Sequence, residues 1–396
     1  MRCLWLARDV PFPLDSGDKI YTAKLAQALA QADVDVTMIA HRSAGEPVLP
    51  ADWPVTLTIV DGGKYSTSRA LFSIEPLYSA VHPTPAYRSA LTNALAQRWE
   101  AIVIDQLGSG WTLPQLQAYR HRQPHCKLVH ISHNHETSLW RGMARQSQTG
   151  PLKRIALKQN ALKVKAAENR MVRAVDLVTA ITEEDVQLYR GQTPTAGTLV
   201  LTPGFSGLSL PDRPITLDTP RHVVLVGSFR WAIKQENLRQ FLALADPAFA
   251  QQNIHLDVVG DMPAKLREQL SRGLRATTLH GFVDDIAPIY RRARIAVVPE
   301  LIGGGFKLKF LDYFFARLPI ASIAAAAAGL PAPLRDSMLL SSDLIGLTEL
   351  VGRTIDDCDS LNRLQRQAFE RAQSLYRWSD RGAMLRAAMM GDSTRH

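Results

Sequence analysis

A run of three glycines in the second half of the chain could bind an anion through its backbone N–H groups. Its members are Gly303, Gly304 and Gly305. The run follows the apolar stretch RIAVVP and precedes a segment with helical spacing that starts at Phe306 and carries Lys307 and Lys309. Glycine amides approach a ligand closely, and the free N–H groups at a helix start attract an anion. The pattern predicts a phosphate site, although a tight turn beside solvated lysines explains a glycine run alone equally well.

A second strand end has the same character. The stretch LVGSFRWAIKQEN places Gly227 and Ser228 at a turn after an apolar run, with Arg230 and Lys234 close behind. Guanidinium and ammonium groups beside free amides are the donors that bind phosphate oxygens. Two such turns in one half of the chain predict a polyanion, such as a diphosphate, held between them.

Two further loops follow predicted strands and are candidates for holding a nucleoside. The stretch GDMP covers residues 260–263, and GFVDD covers 281–285. Their backbone groups can bond the edge of a base in an apolar slot formed by Phe282 and Val283. Asp312 lies one turn beyond the lysines, where its carboxylate could accept hydrogen bonds from ribose hydroxyls. It is otherwise a helix-surface acid or a partner of a lysine on the same helix.

The elements that must position these residues alternate along the whole chain. Short apolar runs are separated by helical patterns, which is the signature of parallel sheets covered by helices. The predicted strands cover residues 3–7, 34–40, 55–60, 101–105, 127–131, 177–181 and 198–202, and then 222–227, 254–260, 276–281, 294–299, 318–322 and 337–342. The predicted fold class is α/β, with two doubly wound Rossmann-like domains that face each other across a cleft.

A change of composition marks the boundary between the two domains. Residues 204–220 are rich in Pro, Gly, Ser and Asp without helical periodicity, which predicts a linker. We therefore expect an N-terminal domain over residues 1–203, a C-terminal domain over 221–375 and a last helix over 376–396. In such sheets, ligands bind beyond the carboxyl ends of the strands.

Positive charge is concentrated in one segment. The formal net charge is +9, and residues 141–173 contain nine Lys or Arg against one acid, Glu168. A nucleic-acid binder would spread its charge over the surface, so no nucleic acid is expected as a partner. A local basic segment indicates a local anionic partner such as a membrane surface. A solvated helix face explains the charge at least as well, because Ile155, Leu162 and Ala166 form only a narrow apolar stripe.

Cysteine usage and hydropathy predict a compartment. Cys3, Cys126 and Cys358 are far apart and lack metal-ligand spacing, which predicts free thiols in a reducing environment. The N-terminus lacks a signal-peptide pattern, and no stretch reaches the ~18 apolar residues of a membrane span. We expect a cytoplasmic protein, with peripheral contact to the inner face of the membrane if the basic segment binds there.

Several stretches together resemble one family. The run GFVDDIAPIYRRARIAVVPELIGGGFKLKFLDYFFARLPIAS resembles the donor-binding half of the two-domain glycosyltransferases of family 4, in particular a bacterial subgroup with a GGG-x-K-x-K pattern. Residues 11–30 are similar to the first glycine loop and helix of that family, and residues 129–144 to its H-N-x-E segment. YRWSD at 376–380 resembles the tail that returns to the N-terminal domain. The resemblance covers essentially the entire chain.

This resemblance implies a retaining glycosyltransferase of the hexosyltransferase type with a GT-B fold. A nucleotide diphosphate sugar would bind the C-terminal donor domain, and the hydroxyl of a glycan or lipid-linked acceptor would attack from the N-terminal domain. Bacterial glycan or surface polysaccharide assembly is the implied context. Amides and cations would stabilise the departing diphosphate, so no metal or other cofactor is expected.

The implied site residues follow from the matching positions. Arg230 and Lys234 are the expected catalytic cations. The donor diphosphate and sugar site would comprise Gly17, Gly227, Gly303, Gly304, Gly305, Phe306, Lys307 and Glu300. The nucleoside-binding residues would be Phe282, Val283 and Asp312. Acceptor-side candidates are Asp15, Lys19 and Glu136.

His133 occupies the H-N position of the family after the strand KLVHI and is the expected catalytic histidine. Its implied role is to position and polarise the donor sugar, in preference to acting as a general base. His135 could exchange roles with it, whereas His130 alternates within the strand and is expected to be structural. Glu136 would contact an acceptor or cap the following helix.

Two positions depart from the family pattern. A pair of glutamates eight positions apart is common in the family, and here those positions hold Gly304 and Asp312. The sugar contact of the first glutamate must then come from amides or from another group, such as Glu300. Lys234 stands where the subgroup has Asn. Both changes bear on which donor is accepted.

Other classes of protein share parts of this pattern. A dehydrogenase also uses doubly wound domains, but the first strand-turn, LARDVPFPLDSGDK, lacks G-x-G-x-x-G and the later acid that would hold a ribose. A nucleotide-sugar 2-epimerase or a non-glycosidic coupling enzyme on the same scaffold is an alternative. A non-catalytic subunit that binds nucleotide sugars or a lipid surface is another.

Overall fold

The computed structural model of the chain describes residues 1–42, 48–66, 68, 73–146, 150–193, 195–301 and 306–391. The chain folds into two compact units. Unit 1 comprises Met1–Gly204 and Arg377–His396, and unit 2 comprises Phe205–Tyr376. Each unit is built on one parallel sheet with helices between its strands, which confirms the predicted α/β class.

Unit 1 contains a seven-stranded sheet in the order β3-β2-β1-β4-β5-β6-β7. Its strands are β1 (Arg2–Asp9), β2 (Asp35–His41), β3 (Thr56–Val60), β4 (Ala101–Asp105), β5 (Lys127–Ile131), β6 (Leu177–Ala180) and β7 (Gly197–Val200). Its helices are α1 (Gly17–Gln31), α2 (Leu77–Ala80), α3 (Pro85–Ala94), α4 (Leu113–Arg122), α5 (Glu136–Gln146), α6 (Pro151–Ala174), α7 (Glu183–Gln192) and α15 (Trp378–Met390), with a 3₁₀ helix at Leu107–Thr112.

Unit 2 contains a six-stranded sheet in the order β10-β9-β8-β11-β12-β13. Its strands are β8 (His222–Val226), β9 (His255–Val259), β10 (Thr277–Gly281), β11 (Ala293–Val298), β12 (Ile320–Ile323) and β13 (Leu339–Ser341). Its helices are α8 (Ala232–Gln251), α9 (Ala264–Ser271), α10 (Ala287–Arg292), α11 (Lys309–Phe315), α12 (Ala332–Arg335), α13 (Leu344–Thr354) and α14 (Cys358–Leu375), with a 3₁₀ helix at Ala324–Ala327.

The predicted strands are all present, with each end within two residues of its predicted position. The reason lies in the environment of the central strands. Every residue of β4 and of β11 is buried, because helices cover both faces of a parallel sheet and leave no polar face to interrupt the apolar run.

Residues 204–220, whose composition predicted a linker, pack on unit 2. Leu210 and Ile215 are buried in its core. The side chain of Asn362 bonds both the N–H and the carbonyl of Ile215 at 2.8 Å. The guanidinium group of Arg294 donates to the carbonyl of Thr219 at 2.8 Å. Side chains of unit 2 thus satisfy backbone groups of a segment that forms no helix or strand.

The last helix of the chain packs on the first. α15 lies against α1 in unit 1. Gly382 allows the approach, because a Cβ atom at this position would lie 2.0 Å from the carbonyl oxygen of Ala28. Next to it, Arg381 donates to the carbonyl and the hydroxyl of Thr202, at 2.7 and 2.9 Å.

The next features concern the apolar character of the helices and the state of the cysteines. None of the described helices combines the length and the apolar character needed to span a bilayer. Cys3, Cys126 and Cys358 are free thiols. Burial raises the pKa of Cys126 to about 12, so this thiol is inert at neutral pH.

Gly382→Ala is expected to destabilise the protein by about 2 kcal/mol, because the added methyl group must push α15 away from α1. Gly142→Ala is the matched control. It also adds a methyl group to a helix, but no heavy atom lies within 4 Å of the added Cβ, so stability should be unchanged or rise by about 0.5 kcal/mol through helix propensity. Urea unfolding followed by circular dichroism measures both. Equal midpoints for Gly382→Ala and wild type would contradict this packing.

Candidate functional site

Each sheet reverses its strand order at one place. The reversal lies between β1 and β4 in unit 1, and between β8 and β11 in unit 2. At such a switch point, the loops that leave the carboxyl ends of the two strands run to opposite faces of the sheet and open a crevice. The residues after these four strands are therefore placed to bind ligands.

A buried carboxylate organises the switch point of unit 2. Glu300 follows β11, and its side chain is 4% exposed. Its two oxygens accept hydrogen bonds from Lys234 Nζ at 2.7 Å and Lys309 Nζ at 2.6 Å. Burial opposes ionisation of this carboxyl group, but the two ammonium groups outweigh burial and lower the pKa of Glu300 to about 2. Glu300 is an anion that fixes two cations in place.

Positive charge exceeds negative charge around Glu300. Lys307 is buried nearby, and burial lowers its pKa and that of Lys309. The charges of Lys234 and Lys309 lower the pKa of Lys307 further. These lysines outnumber the neighbouring acids, Glu300 and Asp312. An added anion would relieve the repulsion among the lysines, so the site suits a phosphate group.

Arg230 stands at the outer side of the same edge. Its side chain is 75% exposed and forms an ion pair with Asp261, which follows β9. An exposed ion pair of this kind contributes little to stability. Arg230 can therefore exchange Asp261 for an anionic ligand at small cost.

The turns after β8, β9 and β10 are bonded to one another through glycines. The N–H of Gly227 donates to the carbonyl of Val259 at 3.0 Å, and the N–H of Gly260 donates to that of Gly281 at 2.7 Å. Gly260 has φ of +132°, and a Cβ there would lie 1.8 Å from the carbonyl oxygen of Gly227. Only glycine fits this position.

The predicted nucleoside residues lie on two elements, the loop after β10 and helix α11. Phe282 is exposed, whereas Val283 packs partly against the core of unit 2. Asp312 lies in α11, where burial raises its pKa to about 6. The described contacts join Lys234, Lys309 and Glu300 but do not join Phe282 or Val283 to Asp312.

The glycine run itself, Gly303, Gly304 and Gly305, lies outside the described residues, and its phosphate role stays a prediction. Phe306 packs against the core of unit 2, with its ring centroid 5.8 Å from that of Tyr376. Helix α11 begins at Lys309, three residues later than the spacing predicts. Lys307 therefore precedes the helix.

A second buried carboxylate occupies the switch point of unit 1. Asp105 ends β4 and accepts hydrogen bonds from Trp5 Nε1 at 3.1 Å and Thr22 Oγ1 at 2.6 Å. His133 Nε2 lies 2.9 Å from its other oxygen. Trp5 belongs to β1, Thr22 to α1, and His133 follows β5. Asp105 therefore fixes the relative positions of three elements at one point.

His133 is bonded through both ring nitrogens. Gln106 Nε2 lies 3.2 Å from His133 Nδ1. When Gln106 donates to Nδ1, the ring proton sits on Nε2 and is accepted by Asp105. Gln106 itself has φ of 60° and ψ of 156°, which non-glycine residues rarely adopt. The imidazole is thus held in one orientation, with both ring nitrogens hydrogen-bonded.

The other two histidines of this segment are locked into unit 1. His130 Nδ1 lies 3.1 Å from the carbonyl oxygen of Ile104 in the neighbouring strand. His135 lies between Ser138 and Gln192, with a ring nitrogen 2.7 Å from each. Both side chains are buried. This arrangement favours His133 over His135 as the histidine nearest to the switch point.

The helix-capping role considered for Glu136 belongs to Glu168. Glu168 is fully buried and accepts hydrogen bonds from the N–H groups of Glu136 at 2.8 Å and Thr137 at 3.1 Å, so it caps α5. The carboxylate of Glu136 accepts a hydrogen bond from Trp140 Nε1 at 3.2 Å. Burial, together with the charge of Glu168, raises the pKa of Glu136 to about 7. Glu136 can therefore change charge near neutral pH.

A small pocket of about 30 Å³ opens beside Asp105 and Gln106. Arg8 and Asp18 line it and form an ion pair at 3.0 Å. The Arg8 side chain crosses Gly108, where a Cβ would lie 2.2 Å from Arg8 Cδ. The carboxylate and amide groups that line it can bond a hydroxyl group.

Of the predicted residues in the first glycine loop, the acceptor-side candidate Lys19 contacts this pocket, whereas Asp15 and the donor-site candidate Gly17 do not line it. Lys19 lines the pocket and pairs with Asp15 at 3.0 Å. Gly17 is the exposed first residue of α1. Burial opposes ionisation of Asp18, but a hydrogen bond from Ser16 and the charge of Arg8 hold its pKa below the usual value.

Sequence reasoning missed Asp105, Gln106 and Arg8. A signal existed for two of them, because Asp105 is the acid that ends the apolar run AIVID, and Arg8 lies at the end of CLWLA. A charged residue at the carboxyl end of a buried parallel strand faces the ligand edge of the sheet. Gln106 carries no such signal, since its role depends on contact with His133.

A histidine cluster that the sequence spacing did not reveal lies elsewhere in unit 2. The fold brings His222 and His255 to the buried carboxylate of Asp257. That carboxylate accepts hydrogen bonds from His222 Nδ1 and His280 Nε2, both at 2.7 Å, and from Arg292 at 2.6 Å. These donors lower its pKa in spite of burial. Arg292 supplies a cation that balances Asp257.

Comparison with solved structures defines the class of fold. Sucrose-phosphate synthase from Thermosynechococcus elongatus superposes with a TM-score of 0.71 at 18% identity, covering 99% of this chain and 100% of that chain. Anabaena Alr3699/HepE in complex with UDP and glucose gives 0.62 at 14% identity, with 99% and 100% covered. A variant of S. aureus TarM in complex with Fondaparinux, alpha-GlcNAc-glycerol and UDP gives 0.64 at 8% identity, with 98% and 99% covered. The fold is that of the GT-B glycosyltransferases.

Family models give the narrower assignment. Residues 16–204 match the glycosyl transferase 4-like domain, and residues 220–357 match glycosyl transferases group 1. A search of curated proteins found no match. The chain belongs to the group 1 glycosyltransferase family with a 4-like N-terminal domain.

Glu300→Gln is expected to destabilise unit 2 by about 3 kcal/mol at pH 7, because it leaves two partly buried lysines without a counter-charge. The folded pKa of Glu300, about 2, lies below the unfolded value of 4.5. Its stabilising effect is therefore complete above pH 4.5 and is lost as the pH falls towards 2. Thermal unfolding between pH 3 and 7 should show the gap between wild type and variant closing at low pH.

Glu349→Gln is the matched control, since Glu349 is an exposed acid on α13 of the same unit. Its stability should follow that of wild type at every pH. A Glu300→Gln variant as stable as the control at pH 7 would contradict the ion-pair account.

Proposed function

We propose that the protein is a retaining, metal-independent glycosyltransferase that moves a hexosyl group from a nucleoside diphosphate sugar to an acceptor hydroxyl. The observation that carries the proposal is the set of lysines held by Glu300 at the switch point of unit 2. Family membership supports the transfer chemistry. The named neighbours bound to UDP make UDP the first nucleotide to test.

In the proposed reaction, the bond between the anomeric carbon and the diphosphate oxygen breaks while a bond to the acceptor oxygen forms. The acceptor hydroxyl gives its proton to the departing diphosphate oxygen. Negative charge builds on the departing diphosphate. Lys234, Lys307 and Arg230 stabilise that charge, and Lys234 needs little reorganisation because Glu300 already holds it in place. The amides of the glycine run would add to this stabilisation, and Asp312 would bond the ribose.

In unit 1, we propose that His133 positions the donor sugar. Its two nitrogens are engaged by Asp105 and Gln106, which supports a positioning role over that of a general base. The pocket beside Asp105 would hold the acceptor hydroxyl, with Glu136 close to the same strand end. A glycan or lipid-linked acceptor in the cytoplasm, in bacterial surface polysaccharide assembly, is the context that the family resemblance implies.

Calorimetry with UDP and other nucleoside diphosphates tests the donor site. Arg230→Met and Lys234→Met should each weaken binding about tenfold or more, because each removes a charge-assisted contact to phosphate. Arg353→Met, at an exposed arginine on α13 of the same unit, should bind as wild type does. Equal affinities for all four proteins would contradict the assigned site.

Turnover separates a transferase from the related enzymes. Nucleoside diphosphate should be released from the sugar donor only when an acceptor is present, and the product should keep the anomeric configuration of the donor by NMR. Release without acceptor, or an inverted product, would overturn the proposal.

A further inference from the structure

The basic segment 141–173 has no part in the proposed transfer. The fold shows which of its charges reach the surface. Its single acid, Glu168, is fully buried and caps α5, so it does not offset charge at the surface. α5 and α6 pack against each other as two consecutive helices of unit 1. Among the described residues of 141–173, the charged side chains that reach solvent are therefore cationic, and one of them, Arg170, pairs with Glu75.

One face of α6 carries exposed aliphatic and cationic side chains in alternation. Ile155, Lys158, Leu162 and Lys165 follow one another at spacings of three, four and three residues, which places them on a single helix face. We name this set the α6 stripe. Ile155 is 64% exposed and Leu162 is 69% exposed. Both lysines are exposed as well.

The exposure of the two aliphatic residues needs an explanation. The opposite face of α6 buries Val164, Ala167 and Met171 in the core of unit 1. The helix therefore does not depend on Ile155 and Leu162 for its packing. α5 adds exposed Leu139 and Met143. Aliphatic groups left in water on a strongly basic element are typical of a surface that meets an apolar and anionic partner.

We propose that the α6 stripe docks the protein on an anionic lipid surface. Lysine ammonium groups would meet the headgroups, while Ile155 and Leu162 would enter the boundary between headgroups and acyl chains. An acidic protein or RNA would satisfy the lysines but would leave the aliphatic side chains without an apolar environment. The combination of both side-chain types thus favours a membrane over these partners.

Vesicle flotation of the full chain tests the proposal. Wild type should bind vesicles of phosphatidylcholine with 30% phosphatidylglycerol and should bind pure phosphatidylcholine far less, with binding that falls as salt rises. Lys158→Gln/Lys165→Gln should weaken binding roughly 25-fold, at about fivefold for each lysine. Ile155→Gln/Leu162→Gln should weaken it about tenfold or more by removing the inserted apolar groups.

Two double variants serve as matched controls. Lys127→Gln/Lys265→Gln removes the same charge at exposed lysines outside α5 and α6, and Leu217→Gln/Ile345→Gln removes exposed aliphatic groups of unit 2. Both should float as wild type does. Thermal stabilisation by UDP should be unchanged in the stripe variants, which keeps a failure of membrane binding distinct from a failure of the donor site.

Equal binding to neutral and anionic vesicles would overturn the proposal, and so would stripe variants that float as the controls do. Binding of polyuridylate is the alternative outcome. If wild type bound it and Lys158→Gln/Lys165→Gln did not, while Ile155→Gln/Leu162→Gln still bound vesicles normally, the surface would be a nucleic-acid site instead.

Discussion

The reversal of strand order in each parallel sheet is the constraint on which the rest of this structure depends. Between β1 and β4, and again between β8 and β11, successive loops leave the sheet in opposite directions and open a crevice at the strand ends. A buried acid follows or ends one strand at each reversal, Asp105 in unit 1 and Glu300 in unit 2. Each acid is too deeply placed to meet solvent, so it must be satisfied by donors from neighbouring elements.

The two acids have different hydrogen-bond partners, so the two strand-order reversals differ in the groups and the charge that they present. Asp105 is bonded by an indole, a hydroxyl and an imidazole, so its surroundings suit hydroxyl groups. Glu300 is bonded by two lysines with a third nearby, so its surroundings favour an added anion. A single physical rule, that a buried charge needs compensation, thus gives one unit groups that can bond hydroxyls and gives the other an excess of positive charge that favours an anion.

The sequence predicted the strands well because a parallel strand buried on both faces must be apolar over its length, as β4 and β11 are. It predicted the surroundings of Glu300 and Asp105 less completely. Lys234 lies 66 residues from Glu300 in the sequence, and Lys309 lies nine residues from it. Both ion pairs therefore exist only after folding. Likewise, Gln106 matters only because β5 brings His133 beside it. The prediction that the helix starts at Phe306 was wrong, since spacing alone does not show that α11 begins at Lys309.

A crystal structure of the chain with a bound nucleoside diphosphate tests the central claim most directly. The account predicts that the diphosphate lies at the β8–β11 reversal, with oxygens within hydrogen-bonding distance of Lys234 Nζ and the Arg230 guanidinium, about 3 Å. It also predicts that Glu300 still holds Lys309. A diphosphate bound away from that reversal, with Lys234 and Arg230 keeping their present carboxylate partners, would contradict it.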